Sequence, residues 1–269
     1  MTLPVASLPM YDHPAQAGAN DALWRAIAER LEARGVRRVP HRLTRTAAPG
    51  RLWRDPALLF GQACGYPLVT EHLPLRVLAL PVYAARGSEG GRHRSLIVTR
   101  ACEGGETLAA FRGRRAAIND PGSNTGMNLF RAAVAPLAPG GRFFAEVIVT
   151  GAHRDSIRAV LRGEADVAAI DAVTYAGIER FEPALTEGLR IVDQTPSSPT
   201  LPFVTSTCTP IETVSALRMA LADAMDDPAL AEARGTLALT GLAAAEAGSF
   251  DGLSGLARQA DRVGYPILA

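Results

Sequence analysis

A chain of 269 residues with 48% hydrophobic side chains holds enough apolar material for one large domain or two lobes of ordinary size. Its 28 basic and 27 acidic residues nearly cancel, so neither nucleic acid nor a membrane surface is an expected partner. No run of about 18 apolar residues occurs, so no membrane span is expected. Cys64, Cys102 and Cys208 are far apart and odd in number, which argues against a disulfide framework and against a zinc site. The first residues lack a basic region followed by an apolar core, so no secretion signal is expected in this chain.

In chain order, apolar and amphipathic segments alternate. Leu3 to Leu8 reads as a short strand ending at the proline-bounded loop Pro9-Met10-Tyr11-Asp12-His13-Pro14. Asn20 or Asp21 caps a helix with Leu23, Ile27 and Leu31 on one face, and Gly35 stops it. Val36 to Leu43 reads as a strand. Leu58 to Phe60 leads into Gln62-Ala63-Cys64-Gly65-Tyr66-Pro67. Leu75 to Val82 is an apolar strand ending at Tyr83, and His93-Arg94-Ser95 opens another, Leu96 to Val98. Thr107 to Phe111 forms a short helix, and Ala116 to Ile118 a buried strand. Glu146 to Thr150 is a strand, Gly151-Ala152-His153 a turn, and Ser156 to Leu161 a helix ended by Gly163. Val167 to Ile170 is a buried strand with Asp171 at its end, followed by a helix and the strand Leu189 to Val192. Pro196, Pro199 and Pro202 interrupt the chain before a strand over Leu201 to Val204. Thr209-Pro210-Ile211-Glu212 reads as a capping box that starts a helix through Val214, Leu217, Leu221 and Met225. The remainder reads as helical.

The most informative stretch is Asn119-Asp120-Pro121-Gly122-Ser123-Asn124-Thr125-Gly126-Met127. A strand precedes it. Met127, Phe130, Val134 and Leu137 follow at spacings of three, four and three, which predicts an amphipathic helix. Pro121-Gly122 makes the turn, and Ser123, Asn124 and Thr125 are all N-cap residue types. The first turn of a helix has unpaired N–H groups and partial positive charge, so hydroxyls beside it make a small anion cradle. The plainer alternative is that these residues only start a helix. Alternating strands and helices predict an α/β protein with parallel sheets, in which ligands sit at the C-terminal ends of strands. Polar clusters occupy those ends five times: Pro9 to His13, Gln62 to Tyr66, Ser123 to Gly126, Gly151 to His153, and Asp171. That repetition favours the cradle.

The order of these pieces resembles the phosphate/phosphite/phosphonate-type substrate-binding proteins of ABC transporters. The likeness is carried by Ala6 to Tyr11, Gln62 to Pro67, His93 to Val98, Leu108 to Gly113, Ser123 to Gly126, Thr150 to Ser156 and Gly163 to Asp171. It covers nearly the whole chain. The resemblance implies a type II periplasmic-binding-protein fold, in which two α/β lobes joined by two hinge strands clamp a ligand. One lobe is placed at residues 1–98 plus 194–269 and the other at 99–193. In that family the Ser-x-Ser/Thr-Gly turn binds the phosphorus oxyanion, which maps onto Ser123, the backbone of Asn124, Thr125 and Gly126. A histidine opening the next helix maps onto His153, and a first-lobe tyrosine onto Tyr66. Tyr11 and Tyr83 are expected to line the cleft. Asp171 reads equally as a helix cap or a pocket acceptor. No cofactor or metal is implied, and a monomer is expected. The partners implied are a small oxyanion and an ABC permease, with a periplasmic setting that the missing signal leaves open to a cytoplasmic one.

The chain departs from that pattern at two further places. The family often has Tyr-x-Ser before the hinge strand, where this chain has His93-Arg94-Ser95, so His93 is either an anion donor or a solvated side chain and Ser95 is kept. Members that take aminoalkyl phosphonates carry an acid in an Ile-Pro-x-Asp-Pro segment, where this chain reads Ser198-Pro199-Thr200-Leu201-Pro202. Cys64 reads as a small buried cysteine rather than a nucleophile. Ser123, His153 and Asp171 are the residue types of a triad, but no nucleophile elbow surrounds the serine. Two functions are therefore carried forward: a solute-binding protein for a small oxyanion or phosphorus compound, and a cytoplasmic ligand sensor or enzyme on the same fold. Neighbouring permease and ATPase genes would favour the first.

Overall fold

The computed structural model describes residues 3–138, 140–246 and 248–269. Its strands are β1 (Val5–Ser7), β2 (Leu58–Gln62), β3 (Leu75–Tyr83), β4 (Ser95–Arg100), β5 (Arg115–Ile118), β6 (Glu146–Val149), β7 (Val167–Asp171), β8 (Leu189–Gln194), β9 (Phe203–Ser206) and β10 (Leu239–Ala243), besides shorter bridges. The main helices are α1 (Ala17–Ala33), α2 (Leu129–Val134), α3 (His153–Leu161), α4 (Ala172–Phe181), α5 (Ile211–Asp226) and α6 (Asp251–Arg262). They form two compact units. The first is Met1–Ala84, Glu89–Gly91 and Pro199–Ala247; the second is Ala85–Ser88, Arg92–Ser198 and Gly248–Ala269.

The first unit holds a sheet of order β1-β2-β9-β3-β10. β1 and β2 pair in parallel, while β9 runs antiparallel to β2 and β3, and β10 antiparallel to β3. Helices α1 and α5 pack together here, burying Leu23, Ile27 and Leu31 of one and Val214, Leu217 and Leu221 of the other. Those positions follow the helical repeat of three and four. Trp24 stacks on Phe60 at 5.2 Å between ring centroids and donates from Nε1 to the Pro40 carbonyl at 2.8 Å. The indole is thereby both packed and satisfied.

The second unit holds a sheet of order β8-β4-β7-β5-β6. Both its faces are covered, and successive side chains alternate between them. Ile97, Ala116, Ile118, Val167 and Ala169 enter a core with Phe130 and Val134 of α2, Phe111, and Ala260 of α6. Leu96, Val98, Ala117, Ala168 and Ile170 enter a second core with Ile157 and Val160 of α3 and Ile178 of α4. Continuous apolar runs such as Val167 to Ile170 read as strands because neither face meets water.

Several expectations are amended. Both sheets are mixed rather than wholly parallel. Val36 to Leu43 forms no strand, because Arg38 lies at φ 62° and Pro40 breaks the run. Asn20 does not cap α1; the helix begins three residues earlier, and buried Asn20 instead donates to the Tyr11 carbonyl at 3.1 Å and to Asp12 Oδ1 at 3.0 Å. Thr209 does not cap α5; Pro210 holds the N-cap position and Thr209 Oγ1 pairs with Thr205 Oγ1 at 2.7 Å. Leu239 to Ala243, read as helical, is an edge strand. The lobe division drawn from the sequence put Ser95 to Val98 and the last helix with the first lobe. In the structure β4 is an interior strand of the second sheet, paired with β8 and β7, and α6 packs on α2. Phe130 is fully buried, with Phe144 at 5.4 Å. Phe130→Ala is expected to cost about 3–5 kcal/mol in chemical denaturation; an unshifted midpoint would remove it from the core.

Candidate functional site

Parallel pairing of β5 with β6 and with β7 brings the C-terminal ends Ile118, Val149 and Asp171 to one edge of the second sheet. β4 runs antiparallel to β7 with Ser95 opposite Asp171, so its starting end reaches the same edge. Ser123 to Gly126, His153, Asp171, Ser95 and His93 therefore belong to one region of the second unit.

The turn is held from within. Asp120 Oδ1 accepts from the Gly122 N–H at 2.7 Å, and the Ser123 N–H donates to the Asp120 carbonyl at 3.0 Å. Ser123 is the N-cap, with φ −72° and ψ 135°, and its Oγ accepts from the Gly126 N–H at 3.0 Å. Its hydroxyl hydrogen is left to donate elsewhere. The helix opens as a wide π turn, Asn124–Asn128, in which the Asn128 N–H reaches the Ser123 carbonyl at 3.0 Å. Such turns recur at functional sites. The Asn124 side chain donates to Ser198 Oγ at 3.0 Å and accepts from Asn128 Nδ2 at 3.1 Å, so what it presents from the first turn is main chain. Ser95 Oγ donates to the Thr125 carbonyl at 2.7 Å, tying β4 to the cradle. Thr125 Oγ1 lies 3.1 Å from His153 Nε2. A Cβ on Gly126 would stand 1.8 Å from Asn119 Oδ1 and 3.1 Å from His153 Cε1, so only glycine fits.

His93 is buried, not solvated, with its Nδ1 3.2 Å from Asp171 Oδ2 and neither ring nitrogen in hydrogen-bond geometry with a partner. Asp171 is the N-cap of α4, accepting from the N–H groups of Val173 at 2.9 Å and Thr174 at 3.0 Å. Burial alone would raise its carboxyl, but the imidazoles of His93 and His153 and the Thr174 N–H hold it at about 2, below the ordinary 3.8. Burial lowers the pKa of His153, with the His93 imidazole adding to it; Asp171 and the Ala169 carbonyl act the other way. The environment thus favours the neutral form of His153 and the ionised form of Asp171. No serine triad is formed, since His153 faces Thr125 and the Asp171 carboxylate faces His93.

The first unit carries the three tyrosines. Tyr11 and Tyr83 meet edge to face at 5.3 Å, and Gln62 Nε2 donates to Tyr83 Oη and to the Leu201 carbonyl, both at 3.0 Å. Tyr66 is half-buried on the short helix Gly65–Thr70, and neighbouring Cys64 is a buried free thiol. The sequence reading gave no site role to Asn119, Asn128, Arg131 or Ser198. Asn128 donates to Asn124 Oδ1 at 3.1 Å and to the Leu253 carbonyl at 3.3 Å, and Arg131 Nη2 donates to Asn128 Oδ1 at 3.3 Å. The four-residue spacing of Asn124 and Asn128 was a readable signal; Ser198 comes from 74 residues away and left none.

A family profile for the periplasmic phosphonate substrate-binding proteins of ABC transporters matches residues 15–250. The chain belongs to this family. Its members are substrate-binding proteins rather than enzymes. No curated protein matches the chain. Among solved structures, a binding-protein component of an ABC phosphonate transporter from Pseudomonas aeruginosa is 15% identical, with TM-score 0.74, covering 97% of this chain and 88% of its own. PhnD1 from Prochlorococcus marinus in complex with methylphosphonate is 12% identical, with TM-score 0.74, covering 97% and 100%. A Xanthomonas citri protein bound to ATP is 18% identical, with TM-score 0.73, covering 97% and 98%. At these identities the likeness is one of fold, the two-lobed α/β fold of periplasmic binding proteins. Among the described residues no helix is long and apolar enough to cross a membrane.

Gly126→Ala is expected to destabilise the protein by about 1–3 kcal/mol through the clash with Asn119. Adding Asn119→Ala should recover part of that loss in a double-mutant cycle of denaturation midpoints, and strict additivity would refute the contact. Acid should weaken the fold in two windows. The folded state resists protonating His153, so stability is full above its ordinary value of 6.5 and declines as pH falls below it. Asp171 adds stability above pH 3.8 that is lost as pH falls toward 2. A falling melting temperature between about pH 7 and pH 5, flattened in His153→Gln, is the expected result.

Proposed function

We propose that this protein captures a small phosphorus oxyanion, of phosphonate, phosphite or phosphate type, in the cradle of its second unit. In this reading it works in the periplasm and passes the anion to an ABC permease. The observation that carries the reading is the turn Ser123–Gly126: a capped π turn whose first-turn N–H groups and two hydroxyls stand together, with His153 Nε2 3.1 Å from one of them. Neutral donors of fixed geometry suit a compact tetrahedral oxyanion, because each oxygen finds its own partner. Ser95 positions Thr125 through its carbonyl. His93 and Asp171 lie together at the same sheet edge. Membership of the phosphonate-binding family supports the ligand class.

Ser123→Ala and Thr125→Ala are each expected to weaken binding by about 1–3 kcal/mol, since a charged oxygen loses a donor. Their cost to the unliganded fold should be smaller, about 1 kcal/mol. Calorimetry with methylphosphonate, phosphite and phosphate tests this, and wild-type affinity in both variants would refute the assignment. Leu201 stands where relatives that bind aminoalkyl phosphonates carry an acid, and its carbonyl already accepts from Gln62 at 3.0 Å. A ligand ammonium without a carboxylate partner loses several kcal/mol. Ethylphosphonate is therefore expected to bind more tightly than 2-aminoethylphosphonate in a direct titration. The reverse order would identify another acid as the anchor.

A further inference from the structure

Three titratable side chains cluster at the cradle, and the proposed anion-binding role accounts for only part of what they do. Asp171 and His93 are each 1% exposed, and the Nδ1 of half-buried His153 is itself buried. The residues of the cradle, Ser123, Asn124, Thr125 and Gly126, carry no charge. The arginines on the surrounding elements have assigned contacts, and Glu179 of α4 acts on Tyr175. On the segment leading into β4, Arg94 donates to the Thr195 carbonyl at 2.9 Å. On α3, Arg154 pairs with Glu182, and Arg158 with Asp155 at 3.1 Å. On the turn, Asp120 accepts from Gly122, and on α2, Arg131 donates to the Pro266 carbonyl at 2.5 Å and to Asn128. On α4, Arg180 lies over the Phe181 ring, 5.0 Å from its centroid. None of these contacts places a fixed cation on Ser123 or Thr125. The group in direct contact with the cradle that can gain positive charge is the His153 imidazole, 3.1 Å from Thr125 Oγ1. Asp171 and His93 are the neighbouring groups whose charge acts on it.

We infer that the cradle binds its oxyanion together with one proton, which His153 takes from solvent buffer and which Asp171 balances. This inference rests on the anion-binding reading above. The physical sequence is short. Burial favours the neutral form of the free imidazole, in which one nitrogen is an acceptor. A dianion arriving at Thr125 adds negative charge beside it and favours the imidazolium. Both ring nitrogens are then donors. Nε2–H donates to Thr125 Oγ1, which leaves the threonine hydroxyl hydrogen to donate to the anion. The second ring nitrogen, Nδ1, is buried, and the Ala169 carbonyl and the Asp171 charge both favour the protonated ring. Asp171 is a positioning residue here, acting on the anion through the imidazole. The balance is one dianion and one proton taken in, with no bond broken in the ligand. The site then selects for ligands that bring, or can share, a single proton.

The test is calorimetric titration of methylphosphonate, at a pH where it is largely the dianion, in two buffers of different ionisation enthalpy. Uptake of about one proton per anion bound is expected from the difference in heats. His153→Gln should bind at least about tenfold more weakly with uptake near zero, and Asp171→Asn, which keeps a cap acceptor, should show reduced uptake. Nitrogen chemical shifts of His153 in the unaltered protein give a variant-free reading, moving from neutral to imidazolium on saturation. Equal heats in both buffers, undiminished uptake in His153→Gln, or a histidine that stays neutral in the complex would each overturn the inference while leaving the anion site standing. Absence of binding by methylphosphonate, phosphite and phosphate would instead overturn the anion-binding reading, and this inference with it.

Discussion

The antiparallel pairing of β4 with β7, with Ser95 opposite Asp171, is the constraint on which the polar edge of the second unit depends. Side chains on a strand alternate between faces, so a slip of one residue would turn Leu96, Ile97 and Val98 out of their cores. Those cores hold the register, and the register in turn delivers Ser95 to the Thr125 carbonyl and His93 to the Asp171 carboxylate. Apolar packing thus fixes the polar geometry at the end of the strand. The same logic accounts for the direction of β4. Parallel strands β5, β6 and β7 bring only their C-terminal ends to this edge, and an antiparallel neighbour contributes its starting end.

Polar satisfaction around the cradle is nearly complete before any ligand is considered. Ser123, Asn124, Thr125 and Asn128 are buried, and each is tied to a turn, a helix or a remote segment. Buried polar groups without partners are costly, so such a network persists only when its geometry is fixed by the surrounding packing. The unsatisfied atoms stand out against this background. Among the described residues, His93 Nδ1 and Nε2, His153 Nδ1 and Asn119 Oδ1 are buried without a hydrogen bond, as are Arg131 Nε and Arg154 Nε on the neighbouring helices. The basic side chains of the chain are arginines throughout, with no lysine. None of those arginines donates to the cradle residues from Ser123 to Gly126 in the bonds described, Arg131 reaching only as near as Asn128. A site built from hydroxyls, amides and an imidazole gains positive charge only by protonation, which links its electrostatics to pH.

The sequence by itself determined the α/β class, the placement of polar residues after strands, and the turn-and-helix unit at Ser123. These are local matters. Proline and glycine set the turn, the three- and four-residue spacing of Met127, Phe130 and Val134 sets the helix, and short apolar runs set the strands. The family was legible for the same reason, because its signature is an ordered series of short local motifs. Where local signals competed, the reading went astray. Thr209-Pro210-Ile211-Glu212 has the letters of a capping box, yet Thr209 is drawn to Thr205. Leu239 to Ala243 sits in an alanine- and leucine-rich tail that reads as helical, yet it completes a sheet edge beside β3.

Only the tertiary structure decided that both sheets are mixed, that β4 lies inside the second sheet, and that His93 is buried against Asp171 rather than solvated. Strand direction and order arise from pairing between segments dozens of residues apart, and no local preference encodes them. The same holds for Asn119, which gives Gly126 its reason: an amide oxygen occupies the space a side chain would need. The two are seven positions apart in sequence, and only the folded turn brings them into contact.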